Sequence, residues 1–253
     1  MDKRPYVRSE EENGVAIIEF FHPAHNSLPG NLLADLRDQI MAEGYKSHIN
    51  IILLQSGGDR TFCAGASFNE LASISNEVEG KNFFMGFADV INAIRTCGKI
   101  VVARIQGKAV GGGVGLAAAC DYAIATKYAS VKLSELAVGI GPFVIGPAVE
   151  RKIGLSAFSH LALNATEWQT AEWARSKGLF QEAFETTEQM DRYLEEFLQR
   201  LNASNPEALK GLKRIFWKGT DHWDQLLMDR AETSGKLVLS SHARQAINGF
   251  LNA

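Results

Sequence analysis

Apolar residues recur along this chain at two periods, and the alternation between them predicts its layout. Residues 15–20 (Val-Ala-Ile-Ile-Glu-Phe) read as a strand, after which Leu28, Leu32, Leu33, Leu36 and Ile40 fall at helical spacing on one face. Residues 50–55 (Asn-Ile-Ile-Leu-Leu-Gln) form a continuous apolar run of strand length, closed by the turn signal Ser56-Gly57-Gly58-Asp59. Further strands are predicted over 100–105, 122–125 and 130–133, with a helix over 83–95 before the first of them. Strands alternating with helices make an α/β layout. No internal repeat is visible in the sequence.

From about Ser156 the strand signals stop and helical ones take over. Thr166-x-x-Gln169 and Thr186-x-x-Gln189 have capping-box form, and Asn205-Pro206 offers an N-cap followed by proline at the first helical position. Phe197, Leu198 and Leu201, then Leu209, Leu212, Ile215 and Phe216, give two successive amphipathic faces. Periodicity alone leaves open whether these faces finish the chain's own core or meet a partner.

Chemistry concentrates in residues 107–135. The β-branched run at 100–105 leads to Gly111-Gly112-Gly113, and the small apolar run Leu116-Ala117-Ala118-Ala119 then propagates a helix. Unpaired N–H groups at the start of such a helix, with the positive end of its dipole behind them, can stabilise negative charge. Glu135 follows Ser134 where the chain turns, so a loop can deliver its carboxylate. The same glycines admit other readings. They could serve close helix packing alone, and Gly113-x-Gly115-x-x-Ala118 satisfies a dinucleotide fingerprint with Glu135 downstream, the alternative of an NAD-dependent oxidoreductase. The linker 106–110 and the surplus glycines fit that alternative poorly.

The run Gly107-x-Ala109-x-Gly111-Gly112-Gly113-x-x-Leu116, then Cys120-Asp121, Ser134-Glu135-Leu136 and Gly139-x-x-Pro142, resembles the enoyl-CoA hydratase/isomerase (crotonase) family. Thr61-Phe62-Cys63-Ala64-Gly65-Ala66-Ser67-Phe68 is similar to the family's FxAGAD segment, and Phe21-His22-Pro23-Ala24-His25-Asn26-Ser27-Leu28 to its RPxxxNAL. The likeness covers residues 14–180. It implies a spiral of β-β-α turns with a C-terminal helical region, and divides the chain into a core at 1–190 and a helical oligomerisation region at 191–253. It also implies an acyl-CoA thioester as substrate, with coenzyme A arriving as part of it and no separate cofactor, and a homotrimer or hexamer. On the matching positions the backbone N–H groups of Ala66 and Gly112 become oxyanion-hole donors and Glu135 the catalytic proton carrier. Ala24, Ala64, Ala66, Ser67, Phe68 and Gly112 become the coenzyme A and substrate contacts. The acyl pocket is expected from loops at 72–82 and 139–144.

The chain departs from the family pattern at Gly115, where well-known members carry a first glutamate that helps hold water, and at Ser67, where aspartate is frequent. One carboxyl group is consistent with shuttling a proton between C2 and C4, an isomerase, or with assisting hydration while other groups hold the water. Single-carboxylate chemistry leans to isomerisation. Lys132-Leu133-Ser134-Glu135-Leu136, Ile145-Gly146-Pro147 and Lys152-Ile153-Gly154 resemble bacterial methylglutaconyl-CoA-type hydratases with glycine at the same place, which leans to hydration of a 2-enoyl-CoA, branched ones included, and to branched-chain amino-acid or fatty-acid degradation. A crotonase-like assembly protein that lost activity with its first glutamate is a further alternative.

Composition narrows the setting. With 253 residues, 46% of them hydrophobic, the chain can bury a sizeable core. A net charge of −3 without a Lys/Arg run argues against a nucleic-acid or anionic-membrane partner. Cys63, Cys97 and Cys120 lack C-x-x-C spacing and suit a reducing compartment. His22 and His25 stand apart from other ligand types, so a turn around Pro23 explains them and no metal is expected. No run reaches the length of a membrane span, and the first five residues lack a signal sequence's apolar stretch, so the expected location is the cytoplasm.

Overall fold

The computed structural model describes residues 4–251; residues 1–3, part of the amino-terminal stretch read above for a signal sequence, lie outside them. A hairpin of β1 (Tyr6–Glu12) and β2 (Val15–Phe21) leads into α1 (Gly30–Tyr45). The chain then repeats one path three times. The first turn is β3 (Ile51–Ser56), β4 (Thr61–Cys63), α2 (Phe68–Ser73) and α3 (Glu77–Thr96). The second is β5 (Ile100–Ile105), β6 (Lys108–Val110) and α4 (Gly112–Ala119). The third is β7 (Tyr122–Thr126), β8 (Val131–Lys132), a 3-10 turn (Leu136–Val138) and α5 (Gly146–Leu163).

The first strand of each turn joins a six-stranded sheet in the order β1-β2-β3-β5-β7-β9, and the second joins a small sheet β4-β6-β8. All pairs are parallel except β1 with β2. The β2–α1 segment follows the same path in reduced form, since Leu28 makes a lone parallel bridge to Ala66 at the edge of the small sheet. This is the β-β-α spiral that the family resemblance implies. β3 and β5 are buried on both faces, which is why their sequences are unbroken apolar runs rather than alternating ones.

After α5 come α6 (Ala171–Ser176), β9 (Glu182–Phe184), α7 (Thr187–Asn202), α8 (Pro206–Phe216), α9 (Trp223–Leu237) and α10 (Ser241–Leu251). The boundary placed at 190/191 falls inside α7, whose Met190 and Leu194 share one cluster with Val15, Ile51, Leu53, Val102 and Ile124 of the large sheet. Phe197, Leu198 and Leu201 pack against the same cluster, so the first amphipathic face finishes the chain's own core. α8 is tethered by Asp121, which the sequence offered only as part of the Cys120-Asp121 motif. Its Oδ2 accepts from Lys213 Nζ at 2.6 Å and its Oδ1 from Trp217 Nε1 at 2.9 Å, with both charged side chains at most 3% exposed. α9 crosses α3 at a contact so close that a Cβ on Gly80 would stand 2.7 Å from the Gly235 backbone.

Thr186 and Asn205 cap α7 and α8 as their sequences predict. Thr166 does not cap a helix: Gln169 is drawn into an antiparallel bridge with Val131, and α6 starts later with Thr170 as its cap. The supposed linker at 106–110 contains β6, and most of the 72–82 loop is helix, because α3 begins at Glu77. Among the described residues no helix is long and apolar enough to cross a membrane.

Candidate active site

β4 and β6 are neighbours in the small sheet, so the segments that follow them emerge side by side. Gly65 has φ of 87°, and a Cβ there would meet Val110 O at 3.0 Å and Gly112 N at 3.5 Å, which limits the position to glycine. Leu28 N donates to Gly65 O at 2.8 Å and Ser67 N donates to Leu28 O at 3.2 Å. In a parallel bridge of that form the intervening residue's own N–H points away from the partner. Ala66 N–H is therefore free on the side away from Leu28. Gly112 opens α4, where the first N–H groups have no intrahelical acceptor. Among the described residues neither the Ala66 nor the Gly112 amide has a hydrogen-bond partner, and both residues line one cavity.

The third strand of the small sheet delivers Glu135. Gly111 N donates to Lys132 O at 2.9 Å, fixing β8 beside β6, and the chain then turns through Ser134 into the 3-10 turn. Val138 N and Ile140 N both donate to Glu135 O, at 3.2 and 3.1 Å, which anchors the backbone of that residue. Its side chain lies over the glycines: a Cβ on Gly111 would be 2.8 Å from Glu135 Oε1. The residue as a whole is half-buried, yet Oε2 is sealed from solvent and has no partner. Burial pushes the carboxyl from 4.5 up to about 7, against a smaller downward pull from its own backbone N–H.

The cavity holds about 620 Å³ including its mouth. Its walls are Phe68 and Leu71 of α2, Phe83, Phe84 and Phe87 of α3, the 138–145 loop, and Ser234 from α9. No Lys, Arg or His is among the described residues that line it. Gly115, where a first glutamate would stand, faces protein instead: a Cβ there would be 2.5 Å from Ile145 Cγ2. A Cβ on Gly112 would run into the Phe87 ring at 2.2 Å, and one on Gly113 into Cys63 O at 2.4 Å.

Of the positions expected from sequence, Ala64, Ala66, Phe68, Gly112 and Glu135 come together on this cavity. Ser67 lies one step behind it and caps α2, its side chain accepting from Glu70 N. Ala24 is exposed in the loop before Leu28 and does not line the cavity. Of the two acyl-pocket loops, 139–144 lines the cavity through residues 140–144 and 72–82 does not, that wall coming from Phe83, Phe84 and Phe87 on the body of α3. Sequence reasoning passed over Asn26, whose buried amide donates to Gly57 O and Thr61 O, both at 2.8 Å, and so seats Leu28 against Ala66. It also missed Ile145 and Ser234. The dinucleotide reading does not survive: the strand feeding the glycines is β6 of the small sheet, Gly113 and Gly115 serve close packing, and Glu135 lies against Gly111 in the cavity. Burial pushes the Cys63 and Cys120 thiols up to about 12, which leaves them unreactive.

Known proteins share this fold. The chain is 27% identical to a short-chain-enoyl-CoA hydratase of Clostridium acetobutylicum, over 96% of this chain and 93% of that one. It is 24% identical to a peroxisomal Delta(3,5)-Delta(2,4)-dienoyl-CoA isomerase of Arabidopsis thaliana, over 96% and 91%. The crystal structure of an enoyl-CoA hydratase from Bacillus halodurans superposes with a TM-score of 0.89 at 26% identity, covering 96% of this chain and 99% of that one. The sequence profile described as enoyl-CoA hydratase/isomerase matches residues 10–251. With that profile running over nearly the whole chain and the fold in agreement, the chain belongs to the enoyl-CoA hydratase/isomerase family.

Proposed function

We propose that this protein binds an acyl-CoA thioester and shifts a double bond between C3 and C2 through a thioester enolate, with Glu135 as the sole proton carrier. The Glu135 carboxylate removes a proton from C2, and the electron pair moves into the thioester carbonyl, whose oxygen gains negative charge. The Ala66 and Gly112 amides donate to that oxygen. The carboxylic acid then returns its proton to C4 as the electrons flow back. A carboxyl held at about 7 suits a group that both takes and gives a proton. The observation that carries this reading is Ile145, which fills the space in front of Gly115 and puts an apolar wall where a second carboxylate would hold water.

Hydration of a 2-enoyl-CoA is the second reading, favoured by the hydratase names of the Clostridium and Bacillus relatives. A methylglutaconyl group, which carries a free carboxylate, suits this cavity poorly because no cation lines it among the described residues. A homotrimer or hexamer and a cytoplasmic setting complete the proposal, the second in keeping with three buried free thiols. The test is to supply 3-enoyl- and 2-enoyl-CoA esters of equal length separately and to follow both products. Isomerisation predicts conversion of the 3-enoyl ester with little 3-hydroxyacyl product from the 2-enoyl ester. The reverse preference would hand the assignment to hydration, and no turnover of any ester would favour an inactive assembly protein.

A further inference from the structure

Four buried side-chain oxygens among the described residues have no hydrogen-bond partner, and two of them belong to residues lining the same cavity: Glu135 Oε2 and Ser234 Oγ. The other two are explained locally. Glu43 accepts from Ser9 and Lys46 through its other oxygen, Oε1, and Gln106 donates its amide nitrogen to Ser56, Gly58 and Thr61. Ser234 differs in making no side-chain hydrogen bond at all while being 0% exposed. A buried hydroxyl left unpaired is costly, so an unpaired one on a cavity wall calls for a ligand atom.

Ser234 is held there deliberately by its helix. Gly80 and Gly235 let α3 and α9 approach until backbone meets backbone, which brings Ser234 into a wall otherwise built from Phe83 and Phe84. It is the residue α9 contributes to the cavity. Apart from Glu135 and the neighbouring Ser134, it supplies the lone polar side chain among the described lining residues. We infer that Ser234 is a specificity-determining residue, donating a hydrogen bond to a neutral oxygen, a hydroxyl or a keto carbonyl, carried by the acyl chain away from the thioester. The oxygen is neutral because, among the described residues, no Lys, Arg or His lines the cavity to pair with a carboxylate. This rests on the proposed acyl-CoA site, but not on which reaction follows there.

Binding therefore tests it independently of turnover. Saturated acyl-CoA esters of one length, with a methyl end or with a hydroxyl or keto oxygen placed at successive carbons from C5 outward, are titrated by calorimetry into wild type and Ser234→Ala. Wild type is expected to bind the oxygenated ester at least about tenfold tighter at one carbon position, and Ser234→Ala to bring that ratio to near one with affinity for the methyl-ended ester changed less than about threefold. Ser234→Cys, which keeps the side-chain volume with a far weaker donor, reads the same ratio should the alanine variant fold poorly. A wild-type preference for the methyl end at every position, an unchanged ratio in both variants, or tighter binding of an ester with a terminal carboxylate would overturn the inference. Failure of every ester to bind would instead remove the acyl-CoA site beneath it, and the inference with it.

Discussion

A carboxyl group held near neutrality alters stability and activity in opposite directions. Glu135 is raised from 4.5 to about 7, so between those values the folded protein binds a proton that the unfolded chain does not, and stability falls as pH rises through that window. The contribution is fully present below 4.5 and is lost above about 7, a difference on the order of 3 kcal/mol. Catalysis by the carboxylate requires the opposite state, so kcat/KM should rise as pH passes through about 7 and then level off. Glu135→Gln should lower turnover by ~10²–10⁴-fold, unfold in urea at a higher midpoint than wild type at pH 8, and match wild type at pH 4. Near-normal turnover by that variant would remove Glu135 from the chemistry. The amide donors need a different test, because any side chain at Gly112 strikes Phe87 first and confounds fold with function. Ala66→Pro deletes one N–H that no protein group uses, while the Leu28 bridge runs through Gly65 and Ser67 and survives. Turnover should drop about 100-fold with an unchanged circular dichroism spectrum. At this scale the meeting of Glu135, Ala66 and Gly112 on one cavity was legible because each belongs to a short contiguous motif. Ser234 and Ile145 were not, since their roles arise from contacts with segments far away in sequence.

Among elements, legibility followed length and burial. β2, β3, β5 and β7 show as apolar runs because they are buried in the large sheet. β4 and β6 are three residues long and exist by pairing within the small sheet, so no local pattern announces them, whereas β8 falls inside the strand predicted over 130–133. Those short strands nevertheless place every group of the site, since Ala66, Gly112 and Glu135 each follow one of them. The position of α5 matters in the same way. Ile145, the residue just before it, packs into the hollow of Gly115 on α4, and this contact is the support for the isomerisation proposed above. A lone Gly115→Glu change would drive its Cβ into Ile145, so the informative variant pairs it with Ile145→Gly. The double variant should gain hydration of a simple 2-enoyl-CoA by at least ~10-fold over wild type, followed as loss of enone ultraviolet absorbance. An unaltered hydration rate in a folded double variant would mean that a carboxylate at this place does not hold the water.

In the whole molecule the helical C-terminal part is divided between two tasks that its sequence pattern does not separate. α7 closes the large sheet, α9 supplies a cavity wall, and a Cβ on Gly139 of the Glu135 loop would stand 2.7 Å from Ala243 of α10, so the carboxylate's loop is braced from the chain's end. α8 is different. Its Leu209 is buried against the sheet cluster and Lys213 is locked to Asp121, but Leu212, Ile215 and Phe216 remain 43%, 67% and 43% exposed. An apolar strip of this kind, on a helix tethered by a buried ion pair, is the surface that the proposed trimer or hexamer would cover. Light scattering should accordingly give three or six times the chain mass. Ile215→Glu adds a charge at a site that contributes little to the monomer's core, so thermal stability at low concentration should change by under about 0.5 kcal/mol while the assembled mass falls. A wild-type protein that runs as a monomer at all concentrations would refute the assembly. A mass unaffected by Ile215→Glu would move the interface off α8, and full activity in a monomeric Ile215→Glu variant would show that one chain carries the complete site.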